Sequence, residues 1–187
     1  MKYLIAGLGN PGPEYADTRH NIGFRAVEAL ASAHNTSFAP GRYADSASFR
    51  HKGRTFVLIK PQTFMNLSGK AVRYWLEQEG IGPDRLMVIV DDLALPFGKM
   101  RMRAAGGDGN HNGLTSIIEQ LATEGFPRLR VGIGSGFARG KQVEYVLGQW
   151  SAEEQEAMPA LLEQIGKAVL EFGLIGVERT MNQINKK

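Results

Sequence analysis

The chain has 187 residues, of which 43% are hydrophobic and 22% are charged, and it contains no cysteine. A chain of this length buries roughly 70% of the surface that its unfolded form exposes, which suits one domain. The lack of cysteine excludes a disulfide framework, a thiolate nucleophile and any cysteine-ligated zinc or iron–sulfur centre. No apolar run approaches the roughly 18–20 residues that cross a bilayer, and the first residues lack the pattern of a signal peptide. We therefore expect a cytoplasmic protein.

The formal net charge of +3 is small, but the basic residues are concentrated in one part of the sequence. Residues 98–141 contain seven lysines and arginines against three acidic residues, so this segment carries +4 and the remainder of the chain −1. A concentrated excess of this kind favours an anionic partner. Taken alone, the charge also fits an RNA-binding module without chemistry.

Hydrophobic patterns predict strands and helices that alternate along the chain. Strands are predicted at 3–6, 55–59, 86–90, 99–103 and 129–133, and helices at 22–33, 67–79 and from 114 to 121. A capping-box pattern from Ser151 to Glu154 opens a C-terminal helix, which Pro159 should delay or kink. Lys99, Arg101 and Arg103 should share one face of their strand. The alternation predicts a three-layer α/β/α sandwich with a mixed, largely parallel central sheet, in a single domain over residues 1–187.

A glycine-rich turn, Gly7-Leu8-Gly9-Asn10-Pro11-Gly12, follows the first predicted strand and matches the G-x-G-x-x-G pattern of dinucleotide-binding proteins. That pattern needs a helix that opens at its third glycine and an acidic residue about 20 positions further, at the next strand end. Pro11 and Pro13 keep the chain extended here, and Glu28 falls within a predicted helix. We therefore expect no nucleotide cofactor. A nucleotide-dependent enzyme is a second alternative, which detectable NAD binding would revive.

Polar residues follow several predicted strands, at the carboxyl ends where α/β sheets form their ligand sites. These residues are Asn10, Asn66, Asp91 and Asn112. Any one of them is equally well explained as a helix cap, and a single histidine such as His20 is more often structural. Together they supply the parts of an acyl hydrolase: an imidazole that takes a proton from water, a carboxylate that fixes its tautomer, and amides that stabilise an oxyanion. The histidine spacing matches no metal motif, so we expect no metal.

Four segments of the sequence resemble bacterial peptidyl-tRNA hydrolase in order and spacing, over nearly the whole chain. They are residues 7–12 with Tyr15 and Thr18-Arg19-His20-Asn21; Lys60-Pro61 with Thr63-Phe64-Met65-Asn66 and Ser68-Gly69; Asp91-Asp92-Leu93 with Leu95-Pro96 and Gly98; and His111-Asn112-Gly113-Leu114. The resemblance implies a monomeric enzyme without cofactor or metal that hydrolyses the ester bond between a peptide and the terminal ribose of tRNA, and so recycles the tRNA. Its implied partner is peptidyl-tRNA, contacted at the acceptor end and the 5′-phosphate region, with no membrane and no obligate protein partner.

The resemblance also implies a role for individual residues, carried over by position. His20 would be the general base, Asp91 would hold and polarise it, and Asn10 would sense whether the aminoacyl nitrogen is blocked. Asn66 and Asn112 would bind the peptide and the reacting centre, and Met65 would line the site. The implied tRNA contacts are Tyr15 and Phe64 at the end of the tRNA, and Arg101, Arg103, Arg128 and Arg130 at its phosphates. A solvated surface position is the alternative for each of these arginines.

Two departures from the pattern of the family matter for the implied site, and Ser135-Gly136 is a third, where many relatives have Arg-Pro. Ala94 stands where the family usually has a second aspartate, which removes any role for a carboxylate there. Asn110 stands where it usually has glycine, so residue 110 either has a negative φ or uses the tolerance of asparagine for positive φ. Neither departure removes a residue that the resemblance implies to be catalytic.

Overall fold

The computed structural model describes residues 1–186, and a seven-stranded mixed sheet forms its centre. The strands are β1 (Lys2–Gly7), β2 (Ala39–Pro40), β3 (Ala44–His51), β4 (Arg54–Pro61), β5 (Leu86–Asp92), β6 (Met100–Arg103) and β7 (Arg128–Gly132). Their order across the sheet is β2-β3-β4-β1-β5-β7-β6. The four strands β4, β1, β5 and β7 are parallel, whereas β3 and β6 run antiparallel to their neighbours. The prediction of a mixed, largely parallel sheet is confirmed.

Helices cover both faces of this sheet. They are α1 (Ile22–Ala33), α2 (Ser68–Glu79), α3 (Asn112–Leu121), α4 (Gln142–Val146), α5 (Ala152–Ile175) and α6 (Val177–Ile184). Side chains alternate between the faces along β1, so that Tyr3 and Ile5 pack with α1, α5 and α6, whereas Leu4 and Ala6 pack with α2 and α3. This is the predicted three-layer sandwich. Within the described residues, no helix is both long and apolar enough to cross a membrane.

The glycines of the first turn are explained by close packing between β1 and α1. A side chain on Gly7 would bring its Cβ to 2.1 Å from the carbonyl oxygen of Gly23, and one on Gly9 would collide with the ring of Phe24. Real Cβ atoms do not approach other atoms so closely, so both positions require glycine if α1 is to lie against the sheet. The G-x-G part of the pattern is therefore accounted for by helix–strand packing.

Several regions differ from the sequence prediction: β2, β3, α4 and α6 were not predicted, and the C-terminal helix starts earlier than expected. The hairpin of β3 and β4 contains a strand that the hydrophobic pattern did not predict, because β3 is an edge region rich in serine and exposed on alternate residues. The hairpin turns at Lys52 and Gly53, which both have positive φ, as tight hairpin turns require.

The C-terminal helix does not start late, as Pro159 had suggested. α5 begins at Ala152, directly after Ser151, and both hydrogen bonds of the predicted capping box are present. It continues through Pro159 to Ile175, with Met158 and Leu161 buried on either side of the proline. Burial of this face compensates the backbone hydrogen bond that proline cannot donate.

Candidate active site

The loops that follow β1 and β4 are joined at the carboxyl edge of the sheet. The Asn10 side-chain oxygen accepts a hydrogen bond of 2.7 Å from the backbone N–H of Met65, in the turn that leads into α2. Asn21, which is fully buried, donates to the backbone oxygen of Asn10 and accepts from its N–H, both at 2.9 Å. The two bonds from Asn21 fix the backbone of Asn10, and the bond from Met65 fixes the oxygen of its side-chain amide. Its Nδ2 group has no partner among residues 1–186, so it is available to a bound molecule.

A histidine–aspartate pair lies at the same edge. His20 occupies a single 3-10 turn before α1, and Asp91 lies near the end of β5, with only 3% of its side chain exposed. The Nδ1 atom of His20 is 2.8 Å from Oδ2 of Asp91. Two residues that are 71 positions apart in the chain are thus in direct contact, as a general base and its orienting carboxylate must be.

The second oxygen of Asp91 is occupied by another histidine. Nε2 of His111 lies 2.8 Å from Oδ1 of Asp91, and the rings of His111 and His20 are 5.1 Å apart. On its other side, Nδ1 of His111 accepts from the backbone N–H groups of Gly113 and Leu114 at 3.1 and 3.4 Å, and so caps α3. A nitrogen that accepts two N–H groups carries no proton, so the proton of His111 is on Nε2 and is donated to Asp91.

This arrangement fixes the charge of Asp91. Burial alone would raise the pKa of its carboxyl, but the interactions of the carboxylate with His111, and then with His20, outweigh burial and hold the pKa well below its usual range. Asp91 is therefore an anion that accepts one N–H from each imidazole. In a neutral His20 that donates from Nδ1 to the carboxylate, the Nε2 atom carries a lone pair.

His20, Asp91 and His111 also form a potential metal-ligand set. One ligand atom from each lies within 4.8 Å of the others, and two imidazoles with a carboxylate suit zinc or other transition metals. Metal coordination at Nε2 of His111 would, however, move its proton to Nδ1, where it would face the N–H groups of Gly113 and Leu114. The helix cap therefore opposes a metal and favours the hydrogen-bonded arrangement.

The sequence places His111 in one of the four motif segments but implies no role for it. A polar residue at a helix start is expected to be either a cap or a site residue, whereas His111 is both. The available signal was its position between Asn110 and Asn112 at a helix start, but contact with Asp91 depends on how loop 104–111 folds back. Asn110 takes the second of its two predicted options, with φ of 63°.

The position of Asn112 needs a correction, because it does not follow the carboxyl end of a strand. The strand before it, β6, is antiparallel to β7, and its last residue Arg103 pairs with Arg128 at the start of β7. Loop 104–111 returns the chain to the site, where Asn112 is the first residue of α3 and is exposed.

Met65 connects the Asn10 side of the site with the histidines. Met65 is buried, and a Cβ placed on Gly113 would lie 2.8 Å from its sulfur and 3.0 Å from Cε1 of His111. Glycine at 113 thus lets the start of α3 approach Met65. Asn66 is exposed next to it.

A cleft of about 390 Å³ opens beside the histidine–aspartate pair. Of the predicted site residues, His20, Asp91, Asn112 and Arg130 line it, together with His111 and three residues of α4. Tyr15 and Phe64 lie outside this lining and form an edge-to-face pair with ring centroids 6.4 Å apart. The ring of Phe64 is 54% exposed, so an apolar surface is available next to the cleft.

The four predicted phosphate-binding arginines fall into two kinds. Arg101 and Arg130 are opposite each other on β6 and β7, Arg130 lies 2.6 Å from Oδ2 of Asp92, and Arg103 is exposed. Arg128 is 2% exposed, and its guanidinium donates to the backbone oxygens of Gly107, Glu124 and Phe126. Arg128 therefore holds two loops together and cannot reach a phosphate without breaking those bonds. The expectation for Arg128 is corrected on this ground.

The sandwich fold, with a histidine–carboxylate pair at the carboxyl edge of its sheet, is suited to an α/β enzyme that catalyses hydrolysis. The family described as peptidyl-tRNA hydrolase matches residues 4–187, and the chain belongs to this family. The resemblance stated from the four sequence segments is confirmed.

Individual relatives agree with this assignment over their full length. The peptidyl-tRNA hydrolases of Cytophaga hutchinsonii and Bacteroides fragilis are 54% and 52% identical over 187 residues, which is all of this chain and all of each relative. The crystal structure of peptidyl-tRNA hydrolase from Acinetobacter baumannii is 35% identical and superposes with a TM-score of 0.91, over 98% of this chain and 94% of that one.

Proposed function

We propose that this chain hydrolyses the ester bond between a peptide, or another N-blocked aminoacyl group, and the terminal ribose of tRNA, releasing free peptide and tRNA. The observation that carries the proposal is the pair of His20 and Asp91, 2.8 Å apart, with the tautomer set by the anionic carboxylate. Membership of the peptidyl-tRNA hydrolase family supplies the substrate class.

His20 acts as the general base in the proposed mechanism. Its Nε2 lone pair takes a proton from a water molecule as the water attacks the ester carbonyl. The imidazolium that forms is stabilised by Asp91, which is itself held by His111. The proton then passes to the ribose oxygen as the ester bond breaks, so that the imidazole returns to its neutral form.

The asparagines bind the acyl group and the developing oxyanion. The side-chain oxygen of Asn10 is fixed by the N–H of Met65, so the Nδ2 group points its N–H donors elsewhere. It can donate to the carbonyl of the acyl group that blocks the aminoacyl nitrogen, or to the reacting centre. Asn66 directly follows Met65, and Asn112 lines the cleft with His20 and Asp91; both are exposed and supply further amide donors. One donor to an oxyanion contributes roughly 3 kcal/mol to transition-state stability.

The tRNA lies on the side of β6 and β7 in this proposal. Arg101, Arg103 and Arg130 meet phosphates of the acceptor end and the 5′-phosphate region, and Tyr15 with Phe64 packs against the terminal nucleotide. The edge-to-face pair and the exposure of Phe64 support the latter contact. We further infer that residues 1–187 form one domain that acts as a monomer in the cytoplasm, with no obligate protein partner.

The decisive experiment is single-turnover hydrolysis of N-acetyl-aminoacyl-tRNA. His20→Ala should lower the rate by about 10²–10⁴-fold, because it removes the general base, while tRNA binding should persist. A near wild-type rate in this variant would contradict the mechanism. Salt-sensitive tRNA binding without any release of free amino acid by the wild-type protein would instead favour the RNA-binding alternative.

A further inference from the structure

Exposed large hydrophobic side chains occur in two places on the described chain besides Met1. Val143 and Leu147 lie on and after α4, beside the cleft, and the other group consists of Tyr43, Phe64 and Leu67. The second group lies where β3, β4 and α2 meet, on the opposite side of the reactive centre from β6 and β7. Only Phe64 of this group has a place in the proposed function.

Tyr43 belongs to a built cluster of aromatic rings and one cation. The guanidinium of Arg42 lies 5.2 Å from the ring centroid of Tyr43 and 5.3 Å from that of Tyr74. The two tyrosine rings meet edge to face at 5.7 Å. The indole N–H of Trp75 donates to the backbone oxygen of Arg42 at 2.9 Å, which fastens this loop to α2. We call Arg42, Tyr43 and Tyr74 the aromatic platform.

The backbone of the platform is strained and held in place. Tyr43 has φ of 64°, a left-handed conformation that is rare and unfavourable for an aromatic residue. Its carbonyl oxygen accepts a hydrogen bond of 2.7 Å from the N–H of Gln62, directly after β4. Strain of this kind persists where surrounding contacts impose it, and it is concentrated at functional positions. The strained tyrosine is 39% exposed, so packing in the core does not explain it.

Sheet geometry places the platform within reach of the reactive centre. Tyr43 precedes β3, whose first residue Ala44 pairs with Pro61 at the carboxyl end of β4. Since β3 is three strands from β5, and neighbouring strands are about 4.8 Å apart, the start of β3 lies about 15 Å from Asp91 along this edge. The basic strands β7 and β6 lie on the other side of β5.

The exposed face of α2 connects the centre with the platform. Leu67 lies directly before α2, next to Asn66, and is 44% exposed. Tyr74 is seven residues, or about two helical turns, after Leu67 and so lies on the same face of α2, about 10 Å from it along the helix axis. This distance corresponds to about three residues of an extended peptide. Leu67 and the platform are thus two exposed patches on one face of α2, with the exposed Lys70 between them.

We infer that Leu67 and the aromatic platform bind the peptide part of the substrate, at side chains about four or five residues back from the ester. The inference rests on the proposed function: if the terminal nucleotide lies against Tyr15 and Phe64 and the rest of the tRNA extends to the basic side of the ester, the peptide extends to the other side, where Leu67 begins the exposed face of α2. Tyrosine rings and an arginine suit an extended peptide with aromatic or aliphatic side chains, since rings contact apolar groups and the guanidinium contacts backbone carbonyls.

The test compares two substrates on one tRNA: N-acetyl-aminoacyl-tRNA and a hexapeptidyl-tRNA with phenylalanine at the fifth residue from the ester. Tyr43→Asn removes the ring but keeps a residue that tolerates positive φ, and Tyr74→Ala removes the second ring. Each should lower kcat/KM for the hexapeptidyl substrate by about 5–20-fold and leave that for the short substrate unchanged. Arg50→Ala, which removes an exposed arginine on β3 outside the platform, is the matched control and should leave both unchanged.

Other results would overturn the inference in recognisable ways. An equal loss on both substrates, or no loss on either, would remove the peptide subsite while leaving the proposed function in place. Weaker binding of deacylated tRNA by Tyr43→Asn would make the platform a nucleic-acid contact instead. If the wild-type protein hydrolysed neither substrate, the proposed function would fail, and the inference with it.

Discussion

The four histidines form two pairs of neighbouring rings, and the two pairs have very different surroundings. His20 and His111 have ring centroids 5.1 Å apart and share the buried carboxylate of Asp91. His34 and His51 have ring centroids 5.5 Å apart, and no carboxylate of residues 1–186 bridges them. His34 instead stacks on the ring of Phe49, with centroids 4.0 Å apart.

The two pairs together show what a histidine pair needs for proton transfer. In the first pair the carboxylate accepts one N–H from each ring, so both tautomers are set and a positive charge on either ring is compensated. In the second pair, burial and then the charge of His51 lower the pKa of His34, because nothing nearby compensates a proton there. Proximity of imidazoles is common to both pairs, and the anion between them is what distinguishes the first.

Asp91→Asn should have the largest effect on the single-turnover rate, because it removes the anion that distinguishes the two histidine pairs. Both imidazoles donate to residue 91, whereas an amide accepts through its oxygen only and presents N–H to the other ring. The tautomer of His111 is fixed because its Nδ1 caps α3, so the amide oxygen accepts from His111 and the amide N–H faces His20. His20 must then accept at Nδ1 and carry its proton on Nε2, which leaves no lone pair there to act as a base. The single-turnover rate should fall by about 10²–10⁴-fold with tRNA binding largely kept.

The second pair supplies the control for that experiment. His51→Asn changes a histidine outside the site and should leave the single-turnover rate at the wild-type level. A rate for Asp91→Asn within about threefold of wild type would mean that Asp91 does not set the tautomer of His20, since a wrong tautomer costs orders of magnitude.

Substitutions at His111 should separate its two roles, with smaller effects on the rate. His111→Asn keeps a good capping residue for α3 but loses the hydrogen bond to Asp91, whereas His111→Ala loses both. A hydrogen bond to a buried carboxylate contributes about 1.5–3 kcal/mol, so both variants should lose about 10–100-fold in single-turnover rate. Urea unfolding should show a loss of about 1 kcal/mol in His111→Ala relative to His111→Asn.

Two results would contradict this separation. An unchanged rate in both variants would show that Asp91 is held without His111. Equal unfolding free energies for the two variants would show that the cap on Gly113 and Leu114 contributes nothing measurable.

The sequence predicted most of the sheet and helices because their hydrophobic periods are clear. The predicted helix over 22–33 coincides with α1, and the strand over 86–90 is the buried part of β5. It missed β3, whose serines and exposed positions obscure a period of two at the edge of the sheet. It also overestimated Pro159, since a propensity rule does not include the burial of Met158 and Leu161.

Site residues at the ends of parallel strands were predictable from the sequence. Site residues that a loop brings back to the carboxyl edge of the sheet were not. Asn10 and Asp91 directly follow or end parallel strands, so topology alone brings them to one edge. The contact of His111 with Asp91 requires loop 104–111 to cross back from the far end of β6, and a sequence pattern does not encode that path. Arg128 shows the same limit, because its charge predicts a surface contact, whereas three backbone oxygens from two loops hold it in the interior.

The smallest expected effect is that of a substitution at His34 on the pH dependence of the free energy of unfolding. Because the pKa of His34 is lower in the folded chain than the usual 6.5, the unfolded chain binds its proton first as the pH falls. The stability that His34 contributes is therefore fully present above pH 6.5 and is lost as the pH falls below it. His34→Phe, which keeps a ring against Phe49, should make the free energy of unfolding less dependent on pH between 7.5 and 5.5. Urea unfolding at both pH values measures this, and an identical pH dependence in wild type and variant would show that the stacked imidazole accepts its proton in the folded chain at no cost.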